Sequence, residues 1–483
     1  MGREVHDQCG YCLAHTLHDC LNFTKRLQHR GRDAFGIVAM GFNRIDAGKW
    51  LGQARNVDIF DLHKIFPSSD YHTYFGHVRY TTQGKKNEQL ETLLNEAHPQ
   101  VIGGKYEYRD SHLIIRNCDA AMVHNGQVDR KHFTGLDQTL LKTTCDTEAL
   151  LHFFYRHGER GLLNEIPGAY SLAIADKRHK NAIVLRDRHG MRPGVLGLKG
   201  GKFCVSSEDS ALLEEGGHYF EDLMPGRVYY LHPQGSYHAE QVVNPVPQNC
   251  FFEWNYNADT HSILSDISVR VLRARLGAAL AQEFRPEGVD VVTFLPRCPE
   301  LAAIRYAREA GLPFLPVFYK LDDERAFQGP TKEERKASIK KNLYLLDGVV
   351  EALRGKHVLM IDDSIVRGNN SKYAGEILYT QGQAGKVSLG SCTPPIGIIG
   401  DDDIARGCEF GVDMPPTDTF IARGRSREEI SKELGMEVGY LSREGMSRVF
   451  ESMGMPREHL CMYCIGGKHP FIANDINILP SCR

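Results

Sequence analysis

The chain of 483 residues lacks any run of about 18 apolar residues, the length a helix needs to cross a bilayer. Its opening, Met-Gly-Arg-Glu-Val-His-Asp-Gln, lacks the apolar core of a signal peptide, and His6 stands where a myristoylation motif needs Ser or Thr. These absences argue for a cytoplasmic protein with no membrane partner. Neither sign of charge is in excess: 58 Lys and Arg against 61 Asp and Glu leave −3, which provides no basic footprint for nucleic acid. Small molecules are the expected partners. Internal repeats and low-complexity tracts are missing too. The 13 cysteines, an odd number scattered over a long chain, argue against a disulfide framework and for thiols used in metal binding or catalysis. A chain of this length is expected to fold as two or three domains.

What is present is organised around His357-Val-Leu-Met-Ile-Asp-Asp-Ser-Ile-Val-Arg-Gly-Asn-Asn-Ser-Lys372. Residues 358–361 form an unbroken apolar run suited to a central parallel strand, and Asp362 and Asp363 stand where that strand ends. Ligands bind at that end of an open α/β sheet. Gly368, a helix-capping pair Asn369 and Asn370, and Ser371 then lead into a helix over 372–380. Backbone N–H groups at a helix start make a phosphate cradle, and two acids beside it suit sugar hydroxyls or hydrated Mg²⁺. The plain alternative is a buried strand running into an acidic surface loop. Around this stretch, apolar spacing predicts a helix over 266–283, with Val269, Leu272, Leu276 and Leu280 on one face. A strand follows at 291–295, a helix at 300–310 and a strand at 314–317. That alternation predicts a parallel sheet.

Asp362-Asp-Ser-Ile-Val-Arg-Gly368 resembles the phosphoribosyl-pyrophosphate motif of type I phosphoribosyltransferases, in the wording of the amidophosphoribosyltransferase family. A second series lies upstream in one order: Cys9-Gly10, Gln28-His-Arg-Gly31, Gly76-His-Val-Arg-Tyr-Thr-Thr82, His124-Asn-Gly126 and Cys145-Asp-Thr-Glu148. It resembles the N-terminal-nucleophile class of glutamine amidotransferases. Amide hydrolysis needs a nucleophile, a base, an oxyanion site and groups that hold the amino acid ends of glutamine. The resemblance implies Cys9 as nucleophile once residues 1–8 are removed as a propeptide, with its α-amino group as base. It further implies Asn125 and the Gly126 N–H as oxyanion hole, Arg79 on the substrate carboxylate and Asp146 on its ammonium. In the second half it implies that Asp362, Asp363, Ser364, Gly368, Asn369, Asn370 and Ser371 bind phosphoribosyl-pyrophosphate, that the two acids hold Mg²⁺, and that Arg325 contacts phosphate from a closing loop.

The implied fold is an α+β glutaminase domain, an αββα sandwich, at 9–240, then an α/β type I phosphoribosyltransferase domain with a central parallel sheet at 265–445, and a cysteine-bearing tail at 446–483. Residues 95–120 read as a surface elaboration. Cys461-Met-Tyr-Cys464, with Cys250 and Cys408, resembles the iron–sulfur branch of the family and implies a [4Fe–4S] cluster; a Cys₄ zinc site is the rival. Three departures accompany the match. Pro296-Arg-Cys-Pro299 replaces a loop of the form Pro-Asp-Ser-Gly, Asn342 stands at a lysine position, and Asn369 and Asn370 replace two threonines. Proline has no N–H for pyrophosphate. The implied activity is transfer of ammonia from glutamine to phosphoribosyl-pyrophosphate, giving 5-phosphoribosylamine in purine synthesis, by a homo-oligomer inhibited by purine nucleotides. The alternatives are a glutaminase with another acceptor and a non-enzymatic regulatory paralogue.

Overall fold

The computed structural model describes residues 9–79, 89–296, 298–320 and 343–471. The expectations for residues 1–8, Tyr80 to Thr82, Arg297, Arg325 and Asn342 therefore lie outside the described residues. Among the described residues no helix is long and apolar enough to cross a membrane.

The N-terminal half is built on the strand His112–Gln127, whose first part pairs with Ile45–Leu51 and whose last part pairs with Ala169–Asp176. Asn117, at φ +60°, lies between the two pairings. One continuous antiparallel ribbon is thereby folded into the two facing layers of the expected sandwich. Strand alternation then sorts the side chains. Tyr11 and Leu13 point between the layers and meet Val123, Ala173 and Tyr229, whereas Cys12 and Ala14 face the helix Leu17–Arg26. On the far side, Leu150, Phe154 and Leu162 of the helix Asp146–Glu165 cover Tyr170, Leu172 and Ile183. Both faces are buried, so these strands are apolar throughout, as parallel ones usually are. The stretch read as a surface elaboration contains a hairpin, Gln100–Tyr108 against His112–Gln127, exposed at Gly103, Gly104 and Lys105.

In the C-terminal half four parallel strands run in the order Val291–Phe294, His357–Asp362, Lys386–Ser391, Glu437–Tyr440. Leu359 and Ile361 face the helices Val269–Glu283 and Glu300–Ala310, while Val358 and Met360 face Asn369–Thr380. Leu272, Leu276 and Leu280 are fully buried there, each contributing roughly 1.5–3 kcal/mol. The strand expected at 314–317 is only a bridge, Phe314 to Val292. The chain pairs properly at Phe318–Lys320, antiparallel to Leu343–Leu345 and off the main sheet. Four apolar residues were too short a signal to locate it.

Gly277 lets the two helices approach: a Cβ there would lie 2.0 Å from the carbonyl oxygen of Ala302. Helix propensity favours Gly277→Ala by about 1 kcal/mol, but the contact is with backbone that cannot rotate away, and overpacking costs about 1–3 kcal/mol. The clash wins. Gly277→Ala is expected to lower the urea midpoint with an unchanged m-value; a raised midpoint would show that the helices separate freely.

Candidate active sites

Cys9 is buried and enters the strand Gly10–Ala14, which pairs with Thr73–Arg79 through Gly10 and Val78. The carbonyl of Cys9 accepts a hydrogen bond from Arg30 Nε at 2.9 Å. A Cβ on Gly31 would fall 2.5 Å from the Arg79 carbonyl carbon, so only glycine lets the Gln28-to-Gly31 turn close over this edge. Asn125 lies opposite Ser171, fully buried, and neither atom of its amide has a partner among the described residues. Burying such a group unpaired costs about 1–3 kcal/mol, a cost that a ligand bound to it would remove. At Gly126, φ is +150° and a Cβ would strike the Ala169 carbonyl oxygen at 1.9 Å. Asp146 opens its helix without capping it, accepting instead from the Val128 N–H at 2.8 Å. A carboxylate is thus tied to the strand end that carries Asn125 and Gly126.

Three histidines pack together beside this centre. His77 and His98 stack at 4.2 Å between ring centroids, and Thr147 Oγ1 joins His98 Nε2 at 2.7 Å to His124 Nδ1 at 2.9 Å. Burial holds all three imidazoles below their ordinary range, His77 at about 3, so they are neutral packing groups. His77 and His124 lie inside recognised motifs, but nothing local marks His98.

The paired acids line a cavity of about 480 Å³ with Ser364, Gly368, Asn369, Asn370 and Ser371. Asp362 Oδ2 accepts from Ser371 Oγ at 3.0 Å and its Oδ1 from the Asp363 N–H at 2.9 Å, while Ser364 Oγ donates to Asp363 Oδ1 at 2.7 Å. Burial, aided by the charge of Asp363, pushes Asp362 well above the usual carboxylate range. Such a pair ionises readily only with a cation beside it. The sequence reading made the two asparagines caps, but the helix begins at Asn369, so they form its first turn. The cap position belongs to Gly368, at φ +76°. No side chain caps this end, which leaves backbone donors and a positive dipole end toward the cavity. Pro299 occupies the position ahead of the helix Glu300–Ala310 without a side-chain cap, and Pro296 and Cys298 line the cavity. Gln28, His29, Arg32 and Arg55 of the N-terminal half line the same cavity. The sequence does not reveal this sharing.

Cys250, Cys408, Cys461 and Cys464 converge on a second, apolar pocket with Met191, Phe252, Val412 and Met414. Cys250 and Cys461 are register partners in a short parallel pair, and Cys408 Sγ accepts from the N–H groups of Phe410 and Val412 at 3.4 Å each. Burial pushes all four thiols up, Cys461 to about 12. Among the described residues only Glu214, Asp259 and His261 bring three ligand atoms within 4.8 Å of one another. No three of these sulfurs are therefore that close. Tetrahedral zinc, at about 2.3 Å from each sulfur, needs sulfurs about 3.8 Å apart; the wider spacing suits a larger group.

Residues 113–240 match the glutamine amidotransferase domain family. The chain is 31% identical to the amidophosphoribosyltransferase of Bacillus subtilis, over 95% of this chain and 92% of that one. It is 28% identical to that of Methanothermobacter thermautotrophicus, over 99% and 98%. The solved glutamine phosphoribosylpyrophosphate amidotransferase of B. subtilis, complexed with ADP and GMP, superposes with a TM-score of 0.75 at 27% identity, covering 96% of this chain and 97% of that one. A relative this similar over nearly its full length shares ancestry and architecture with the chain, and the chain belongs to the amidophosphoribosyltransferase family.

Proposed function

We infer that the protein is a glutamine-dependent amidophosphoribosyltransferase, with Cys9 releasing ammonia from glutamine and the second domain transferring it to phosphoribosyl-pyrophosphate, giving 5-phosphoribosylamine and pyrophosphate in the first step of purine synthesis. The observation that carries this reading is the shared cavity, in which the Gln28–His29 turn beside the Cys9 strand meets Asp362, Asp363 and the Gly368-to-Ser371 turn.

In the first half the Cys9 thiol attacks the glutamine side-chain amide after removal of residues 1–8, with the freed α-amino group as base. The Asn125 amide and the Gly126 N–H hold the developing oxyanion, while Arg79 and Asp146 hold the amino acid ends. In the second half the N–H groups of the Asn369 turn, with Asn370 and Ser371, cradle phosphate, and Ser364 and the two acids orient the ribose. Asp362 and Asp363 would hold Mg²⁺, which neutralises pyrophosphate oxygens when bound. Arg325 belongs to the same reading as a phosphate contact. Cys250, Cys408, Cys461 and Cys464 would hold a [4Fe–4S] cluster; their spacing supports it over zinc, and the N–H bonds to Cys408 suit a thiolate ligand. The nucleotides bound by the B. subtilis enzyme support purine nucleotides as inhibitors. The reading extends to a cytoplasmic homo-oligomer.

Anaerobic turnover with glutamine, Mg²⁺ and phosphoribosyl-pyrophosphate is expected to release glutamate and pyrophosphate in equal amounts from a chain whose mass begins at Cys9. Glutamate without pyrophosphate would replace this reading with a glutaminase of another acceptor, the outcome that Pro299, lacking an N–H, favours.

A further inference from the structure

Four charged side chains that neither proposed reaction uses form a buried series: Glu208, Arg30, Glu253 and Arg192, none more than 2% exposed. Arg30 Nη1 lies 2.5 Å from Glu208, and its Nη2 lies 3.1 Å from Glu253 Oε2. The other oxygen of Glu253 is 2.6 Å from Arg192 Nη1. The two ends of the series differ in kind. Arg30 Nε donates to the carbonyl of Cys9, whereas Arg192 Nε donates at 3.1 Å to the carbonyl of Phe410, whose own N–H donates to Cys408 Sγ. A single carboxylate thus stands between the nucleophile's backbone and the loop that carries a thiol of the second pocket.

Stability alone does not account for the arrangement. Removing four charges from water costs several kcal/mol per ion, and apolar replacements of similar volume are often neutral or stabilising. What the ion pairs supply instead is geometry: a guanidinium fork fixed on both sides leaves its remaining N–H little freedom.

We propose that Glu253 is a positioning residue for glutamine hydrolysis that also couples Cys9 to the Cys408 loop, holding Arg30 and hence the Cys9 carbonyl on one side, and Arg192 and hence the Phe410 carbonyl on the other. The proposal rests on the reading of Cys9 as nucleophile. Because coupling between two sites is reciprocal, a ligand that settles Cys9 must also settle the Phe410 loop.

The test uses the whole enzyme with residues 1–8 removed and a diazoketone analogue of glutamine, which alkylates the nucleophilic thiol and is read by mass. In the wild type, labelling Cys9 is expected to slow amide hydrogen exchange over residues 408–414 by about fivefold or more. In Glu253→Gln the maximal labelling rate falls about tenfold with the half-saturating concentration little changed, and the 408–414 amides no longer respond, as expected for loss of a transition-state positioning contact. Unchanged exchange at 408–414 in the labelled wild type overturns the proposal whether or not the variant folds. A folded Glu253→Gln that labels at the wild-type rate overturns it as well. A wild type that the analogue does not label at Cys9 overturns the glutaminase reading itself, so the two failures are distinct.

Discussion

Cys9→Ala is expected to lose glutamine-dependent release of both glutamate and pyrophosphate by about 10⁴-fold or more, the scale at which removing a nucleophile disables a catalytic unit. The size follows from the chemistry: the thiol forms the bond that splits amide hydrolysis into two easier steps, and a methyl group cannot. The fold should survive, because Cys9 is buried at a strand entrance and alanine is smaller. Pyrophosphate release supported by an ammonium salt should persist, since the paired acids and the Gly368 turn belong to the other domain. Loss of both glutamine- and ammonia-supported pyrophosphate release in a folded variant would mean that Cys9 serves the cavity rather than glutamine.

The second large effect is expected at the paired acids. Asp362→Asn is expected to cut Mg²⁺-dependent transfer on the order of 10²–10³-fold, the usual loss when one preorganised charge-stabilising group is removed. The same substitution should raise thermal stability at neutral pH. Burial and the neighbouring Asp363 raise the Asp362 carboxyl well above its unfolded value, so the native state binds the extra proton and folding is penalised as pH rises through that window. Asparagine keeps the bond from Ser371 without the charge. The gain should be larger at pH 7 than in acid and vanish once pH falls below the ordinary aspartate range, where the carboxyl is protonated in both states. A melting temperature lowered at pH 7 would show that the carboxylate is stabilised by a partner other than a bound cation. Such opposition between activity and stability is the signature of a site kept for function.

Some of this was written locally in the chain. The helix at Glu300–Ala310 fell where apolar spacing placed it, because its stripe repeats over three turns. The strand His357–Asp362 and the acids that end it were legible because a central parallel strand is apolar on both faces and must stop where polar groups begin. Boundaries fared worse. The helix starts at Asn369 rather than 372 because Gly368 takes a left-handed conformation that no spacing rule reports, and the strand sought at 314–317 dissolved into a bridge.

The sequence by itself determined the kinds of groups available: a thiol after a polar lead, two acids ahead of a glycine turn, and four cysteines in three separate segments. Each signal is carried by a few neighbouring residues and reflects backbone conformation and ligand chemistry, which are local. Only the tertiary structure decided which of them meet. Gln28 and His29 reach the cavity of Asp362, His98 stacks on His77, and Glu253 bridges Arg30 and Arg192 because packed layers bring together residues far apart in the chain. The physical reason is that burial drives such meetings: apolar area selects the layers without regard to sequence distance. The polar groups carried inside then pair with whatever partner the layers deliver.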